Sequence, residues 1–225
     1  MRAPSETREK LLKTAIDLVW QSNYCSVGVA EICQRAGVTK GAFYHHFETK
    51  ADLFYAAAQY HWAEVKPELD AIFSPASPPL EQLENLIGFI LTGHQPSQGS
   101  GAAELEVAGC PFFAAGGQVS VEETTVRRAS QEMGEKSIIY ATALVRGLKA
   151  EGCLTGDPEP EQTGRMLFTF VQGLLMYGRA LNDRAVVEAD LRDGMYRLLG
   201  LKAAYRRESR QDAAKPLLEP VAGGG

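Results

Sequence analysis

Apolar residues recur every three or four positions along most of the chain, which is the spacing that places side chains on one face of an α-helix. The run Leu11, Leu12, Ala15, Ile16 and Val19 is the first example. Together with the caps and helix breakers between the runs, this spacing predicts an all-α fold. The predicted helices start near residue 5, cover 29–36 and 39–46, start again at 49, and cover 80–92, 102–108, 121–151, 161–181 and 187–201.

Two short helices joined by a tight turn are predicted between Ala30 and Lys50. Gly37 can adopt the left-handed conformation that ends the first helix, and Thr39 is a favourable N-cap for the second. Phe43 and Phe47 lie four residues apart, so both can enter the core on one face of the second helix. The second helix therefore has an outward face that is polar, aromatic and basic.

Proline, glycine and capping residues divide the remainder. Thr49 and Asp52 have the spacing of a capping box, so we expect a helix that leaves the N-terminal segment here and ends before the Ser-Pro cluster at 74–79. From residue 93 to 117 the composition changes to Gly, Ser, Pro, Gln and Ala, which is typical of a mobile loop or of a wall of a binding site. Residues after Tyr205 have the composition of a disordered tail.

The segment from Gln34 to Phe47, followed by Lys50 and Leu53-Phe54, resembles the DNA-binding domain of the TetR (TetR/AcrR) family of transcriptional repressors. The resemblance covers roughly the first quarter of the chain. It implies an N-terminal three-helix helix-turn-helix domain at residues 1–50 and a larger helical ligand-binding and dimerisation domain at 51–205, before the tail at 206–225. The chain departs from the family at Val27 and Gly28, where Thr or Ser is usual, so a hydroxyl that could contact phosphate is missing.

A helix of about two turns can reach base edges only with its N-terminal half. The residues expected to contact double-stranded DNA are Thr39, Lys40, Gly41, Tyr44, His45 and Lys50. Thr39, Lys40 and Tyr44 would contact the groove and phosphates, Gly41 would permit close approach, and Lys50 would bind the flanking backbone. His45 would bind phosphate or a base acceptor. So short a helix covers too few base pairs to be specific, which predicts a homodimer on a palindromic operator.

The last two predicted helices are apolar over more than one narrow stripe, as in helices that pack both within a subunit and against a partner. In the resemblance to the TetR family they match the pair that forms a four-helix bundle across a homodimer. The expected interface residues are Phe170, Leu174, Leu191, Met195 and Leu198. Gly164, Gly173 and Gly178 would permit the close approach of a second backbone.

For control of DNA binding, the hypothesis is a small-molecule effector that binds one conformation of the larger domain better than another. The candidate wall residues are Trp62, Phe89, Cys110, Phe112, Phe113, Tyr140, Phe168 and Met176. Few charged residues lie among them, so an apolar or aromatic effector is favoured. Two alternatives stay open: a repressor switched by oxidation or alkylation of Cys110, and a constitutive DNA-binding protein, which predicts no cavity.

The formal net charge of -5 at first argues against a nucleic-acid partner. Residues 1–50, however, carry seven Lys and Arg against five Asp and Glu, whereas the rest carries 16 against 23. A mildly basic end on an acidic body suits a protein that presents one end to phosphates.

Composition and motifs also bear on other classes of protein. The four cysteines include no Cys-x-x-Cys pair, and the adjacent His45 and His46 point about 100 degrees apart on a helix, so neither a metal nor another cofactor is expected. No apolar run is long enough to span a bilayer and no secretory signal is found, so the expected location is cytoplasmic and no membrane partner is expected. No hydrolase, zinc-protease or phosphate-loop motif indicates an enzyme.

Overall fold

The structure is a computed structural model that describes residues 6–92, 107 and 109–207. Within this part of the chain, nine α-helices account for the regular structure, apart from one short 3-10 turn at Ala203–Tyr205 and one isolated β-bridge between Leu154 and Leu201. The helices are α1 Glu6–Gln21, α2 Val29–Ala36, α3 Lys40–His46, α4 Lys50–Ile72, α5 Pro79–Thr92, α6 Pro111–Ala115, α7 Thr124–Ala150, α8 Pro160–Leu181 and α9 Arg184–Leu199. The all-α prediction is confirmed.

Some of the sequence-based expectations fall on residues that the structure does not describe. These are the start of the chain before Glu6, the predicted helix at 102–108 except Val107, and the tail from 208 onward. Among the described residues, no helix is both long and apolar enough to cross a membrane.

Two hydrophobic cores hold the helices together. The first joins α1, α2, α3 and the N-terminal half of α4 to Phe112 and Ala115 of α6 and to Val126, Ala129 and Met133 at the start of α7. The second joins α5, the C-terminal half of α7, α8 and α9. The first core therefore continues from the helix-turn-helix segment into the larger part of the chain. The domain boundary at residue 50 stays a prediction.

Helix α6 was not predicted, because a Gly-Cys-Pro-Phe-Phe segment has the composition of a turn. Pro111 occupies the first turn of this helix, where its missing N–H costs nothing and its fixed φ suits the helix. The ring of Phe112 is fully buried between Phe54 at 5.2 Å and His61 at 5.4 Å. The Ser130 hydroxyl donates to the Phe112 carbonyl at 2.6 Å. Long-range contacts with α4 and α7 thus stabilise a helix of only five residues.

Close helix packing accounts for two of the three glycines considered in α8. A Cβ atom at Gly164 would lie 2.9 Å from the backbone nitrogen of Thr142 in α7, and one at Gly178 would lie 2.5 Å from Val187 in α9. Gly173 is exposed, with nothing within 4 Å of such an atom. Gly164 therefore admits the backbone of α7, and Gly178 admits the side chain of Val187, both within the same chain.

Three of the five residues expected at the dimer interface are buried inside the subunit. Leu191 and Met195 are completely or almost completely buried in the second core, and Leu174 is buried there too. Their apolar side chains pack against α5, α7 and α8 of their own chain, so the prediction that they face a partner is wrong. Phe170 and Leu198 are only partly buried.

Candidate nucleic-acid interface and internal cavity

The turn between α2 and α3 has the predicted geometry. Gly37 adopts φ 65 and ψ 34, the left-handed conformation that glycine enters without steric cost. Its N–H donates to the carbonyl of Gln34, and that of Val38 donates to Cys33 at 3.0 Å. Gly28 caps the N-terminus of α2 without a side-chain hydrogen bond, as expected from the missing hydroxyl.

Thr39 begins α3 as the predicted N-cap. The backbone N–H of Ala42 donates to Thr39 Oγ1 at 3.1 Å, which satisfies one of the N–H groups left unpaired at the start of a helix. Phe43 and Phe47 are buried, with ring centroids 6.1 Å apart, and both belong to the first core. The two rings therefore determine which face of α3 points away from the protein.

That outward face contains most of the residues expected to contact DNA. Thr39, Lys40, Gly41, Tyr44 and His45 are all exposed, and 57% of the Tyr44 surface is accessible. An additional Cβ at Gly41 would lie 3.8 Å from Thr39 Oγ1, in ordinary contact, so the small residue there leaves room for a close ligand. This surface of α3, called the α3 face below, offers a hydroxyl, an ammonium, a phenol and an imidazole on two helical turns.

Lys50 was expected to bind the flanking DNA backbone, but in the structure its ammonium group faces the protein's own loop. Its ammonium donates to the carbonyls of Tyr24 at 2.9 Å and Val27 at 3.0 Å, and lies 4.1 Å from the centre of the Tyr24 ring. Burial lowers the pKa of Lys50. Two of the three N–H donors of this ammonium group thus bond the loop between α1 and α2 to the start of α4. Only the third N–H is left to donate to a phosphate.

A cavity of about 220 Å³ lies between α1, α4, α5, α7, α8 and α9. Five of the eight predicted wall residues line it: Trp62, Phe89, Cys110, Tyr140 and Phe168. The wall also includes Trp20 and His61, which the sequence analysis did not assign, and further aliphatic side chains such as Leu69, Leu86, Val171 and Leu175. The lining is mostly apolar, as in many small-molecule sites.

Three predicted wall residues are not brought to this cavity. Phe112 is wholly buried in the first core. The ring of Phe113 packs edge-on against that of Phe168 at a centroid distance of 4.8 Å. It also lies next to Gly134, where an added Cβ would be 3.3 Å from it. Met176 is exposed on α8 and lines a smaller neighbouring cavity instead. The sequence shows that these three residues are apolar. It does not show the directions of their side chains, which for Phe112 and Phe113 depend on the position of α6.

Polar groups are few on the cavity wall. Tyr140 donates its hydroxyl to Asp70 of α4 at 2.6 Å, and burial together with this bond raises the pKa of Tyr140 to about 12. Arg184 donates to Glu188 at 2.7 Å and to the Leu91 carbonyl at 2.9 Å. Ser137 donates to the carbonyl of Met133. The ring of His61 lies between those of Trp20, edge-on at 5.9 Å, and Phe112, tilted at 5.4 Å. A ligand would meet apolar surface with a few polar groups at its edges.

Cys110 lies on the cavity wall and is half-buried. Burial raises the pKa of its thiol, which lowers the fraction of reactive thiolate. None of the four cysteines, all in the described part of the chain, forms a disulfide. No group of three His, Cys, Asp or Glu residues among the described residues is arranged to hold a metal ion.

An exposed apolar stripe runs along α8. Met166, Tyr177 and Leu181 expose 46%, 57% and 50% of their surfaces, at spacings that place them on one side of the helix with the partly buried Phe170. Gly173 lies between them and is exposed. These five residues are called the α8 stripe below. Sequence periodicity alone did not separate this stripe from the buried face of the same helix.

Comparison with known proteins agrees with the geometry of the N-terminal helices. Residues 11–57 match the family model described as bacterial regulatory proteins, tetR family. The HTH-type transcriptional repressor NemR of Escherichia coli is 26% identical over 170 residues, which are 75% of this chain and 81% of NemR.

Solved structures share the whole fold. A transcriptional regulator of the TetR family from Agrobacterium tumefaciens superposes with a TM-score of 0.74 at 22% identity, covering 86% of this chain and 98% of that one. The reduced form of Escherichia coli NemR superposes with a TM-score of 0.72 at 23% identity, covering 88% and 99%. With its capped helix α3 and its matching N-terminal model, the chain has a DNA-binding domain of the tetR family of bacterial regulatory proteins, and over most of its length it is similar to transcriptional regulators of that family.

Proposed function

We propose that this chain is a transcriptional repressor that binds a palindromic operator as a homodimer and releases it when a small apolar or aromatic molecule occupies the cavity. The α3 face supplies the groove contacts through Thr39, Lys40, Gly41, Tyr44 and His45. Lys50 supplies at most one phosphate contact beside its structural bonds. The relative NemR is itself named a transcriptional repressor, which supports the direction of control.

The composition of the cavity wall carries the proposal of effector control. Trp20 of α1 and His61 and Trp62 of α4 line the same space as Tyr140 and Phe168 of α7 and α8. Since α1 packs on α2 and α3, and α4 packs on α1, a molecule that separates these walls also changes the position of the α3 face. A ligand acts as an effector only if it binds the two conformations with different affinities.

The α8 stripe supports the homodimer. Exposed apolar residues that align along one face of a helix are typical of helices that pack against a partner. A two-fold axis through this stripe would bring α8 of one protomer against α8 of the other, with α9 beside it. Phe170 belongs to this stripe and Leu198 is partly buried on α9, whereas Leu191 and Met195 are buried in the second core.

The constitutive alternative predicted no cavity, and the cavity of about 220 Å³ argues against it. The thiol-switch alternative keeps one supporting observation, the position of Cys110 on the cavity wall, and one opposing observation, the raised pKa of its thiol. Cys110→Ser separates the two controls. A thiol switch loses its response to oxidant with this change, and an effector-controlled repressor keeps its response to the effector.

The cavity itself can be tested by filling it. Ala141 is buried on α7 and lines the cavity, whereas Ala143, two residues later on the same helix, is exposed. With a panel of small aromatic and aliphatic compounds, we expect at least one to raise the melting temperature and release duplex DNA from the natural chain. Ala141→Phe should abolish both responses and Ala143→Phe should retain them. Equal responses in the two variants would contradict the assignment of the cavity.

A further inference from the structure

A second, smaller cavity of about 50 Å³ adjoins the first at the junction with the N-terminal helices. Val19, Ser22 and Asn23 from the end of α1 form one side, and Met176 and Arg179 of α8 form another. Gly109, Cys110 and Gln172 belong to the walls of both cavities. These three residues therefore lie where the two cavities adjoin.

Polar residues form a larger share of the lining in the small cavity than in the large one. Ser22, Asn23, Gln118, Gln172 and Arg179 offer hydroxyl, amide and guanidinium groups around a small volume. The larger cavity offers mostly hydrocarbon surface. A molecule that occupied both would need an extended apolar part and a compact polar end.

Arg179 connects α8 to the end of α1. Its Nη2 donates to the Trp20 carbonyl at 3.0 Å and to the Ser22 carbonyl at 2.9 Å. These acceptors belong to the C-terminal turn of α1 and the residue that follows it. Burial lowers the pKa of the Arg179 guanidinium, although arginine stays charged in proteins. The same residue thus lines the small cavity and fastens α8 to the N-terminal helices.

Gln172 and Leu175 of α8 line the larger cavity, and Gln172 also lines the smaller one. Helical side chains lean toward the N-terminus of their helix, which is the direction from Arg179 to these two residues. Gln172 and Arg179 are seven residues apart on one face of α8, which is about 10 Å along the helix axis. That distance can be spanned by a short chain with an acid group at its end.

We infer that the effector is an amphipathic carboxylate, with its apolar part in the larger cavity and its acid group bound by Arg179 in the smaller one. This inference rests on the proposed function. The carboxylate replaces the carbonyls of Trp20 and Ser22 as the acceptor of the guanidinium. Hydrogen bonds between two charged groups are about twice as strong as those between neutral groups, and a carboxylate can accept two parallel N–H bonds from arginine.

Arg184, the cation on the wall of the larger cavity, is a less suitable partner for the acid. Its Nε already donates to the Glu188 carboxylate at 2.7 Å, so an incoming acid would meet a negative charge beside it. Exchange of acceptors at Arg179 also releases α1 from α8, which gives the binding of the acid a direct effect on the position of the N-terminal helices.

The experiment compares phenylalkanoates of increasing chain length with their primary amides, which have nearly the same shape without the charge. The readouts are the shift in melting temperature and the concentration that releases half of a bound operator duplex. For the natural full-length chain, the best acid should act at a concentration at least about tenfold lower than its amide, the ratio expected for a charge-assisted hydrogen bond.

Variants at the two arginines test which cation is responsible. Arg179→Gln should reduce the acid-to-amide ratio to about one, Arg179→Lys should retain part of the preference, and Arg184→Gln should retain it fully. Because the ratio compares two ligands on the same protein, a general loss of stability does not imitate the expected result. Circular dichroism checks that each variant is folded.

The outcomes separate this inference from the function on which it rests. Acids and amides that act equally, or a preference that survives Arg179→Gln, would overturn the carboxylate inference and leave the effector-controlled repressor intact. Failure of every acid to shift the melting temperature would also overturn it. A chain that does not bind duplex DNA in the absence of any compound would instead contradict the proposed function.

Discussion

At the scale of single residues, Lys40 and Lys50 each begin a helix but have different environments. Lys40 is exposed in the first turn of α3. Lys50, at the start of α4, donates to the carbonyls of Tyr24 and Val27 in the preceding loop. The first is therefore available to phosphate or base edges, and the second stabilises the loop that positions α2. Substitutions at the two sites should affect different measurements.

Lys40→Gln should weaken binding to duplex DNA of any sequence and lower the slope of log affinity against log salt by about one per subunit, because one phosphate contact is lost. The measurement is fluorescence anisotropy at several salt concentrations. Arg165→Gln serves as the control, since Arg165 is exposed near the other end of α8 from the contact between Arg179 and α1. An unchanged slope for Lys40→Gln would remove this residue from the interface.

Lys50→Met should lower the free energy of unfolding by about 1–2 kcal/mol, because two carbonyls lose their hydrogen-bond donor in a half-buried site. Urea denaturation followed by circular dichroism measures this change, with Lys40→Gln as the matched variant that should leave stability almost unchanged. If Lys50→Met unfolds at the same urea concentration as the natural chain, the hydrogen bonds to Tyr24 and Val27 do not stabilise the loop.

At the scale of helices, close contacts decide which glycines tolerate a side chain. Gly164→Ala brings a methyl group against the backbone of Thr142 and should destabilise the protein by about 1–3 kcal/mol through overpacking. Gly173→Ala meets nothing within 4 Å in its own chain and should stabilise α8 of the single subunit by up to about 1 kcal/mol. Thermal and urea unfolding measure both. Similar effects of the two substitutions would contradict the packing of α7 against α8.

The α8 stripe should be sensitive to charge. Tyr177→Glu places a carboxylate on the exposed apolar surface, so the chain should elute as a single subunit in size-exclusion chromatography with light scattering and bind DNA more weakly. Val121→Glu, at an exposed apolar residue before α7, should leave the dimer intact. A Tyr177→Glu protein that remains dimeric would place the interface elsewhere.

The sequence predicted the turns and helix caps correctly where they depend only on residues a few positions away. Gly37 and Thr39 set the turn and the cap of α3 within a few positions, and both were identified correctly. The partners of Lys50 lie 23 and 26 residues away, so no local pattern showed them. Leu191 and Met195 share the periodicity of interface residues, but only the packing of α5 and α8 against α9 shows that they are buried. The orientation of Phe112 likewise depends on Phe54 and His61.

At the scale of the whole molecule, the central claim is that the α3 face is presented twice by a dimer and binds a symmetric DNA site. Selection of bound duplexes from a random pool by the purified chain tests this claim most directly. The account predicts a palindrome whose half-sites are centred a whole number of helical turns apart, about 34–36 Å per turn, and its loss in Lys40→Gln and Tyr177→Glu. Recovery of a sequence without dyad symmetry, or of no enriched sequence at low salt, would contradict the account.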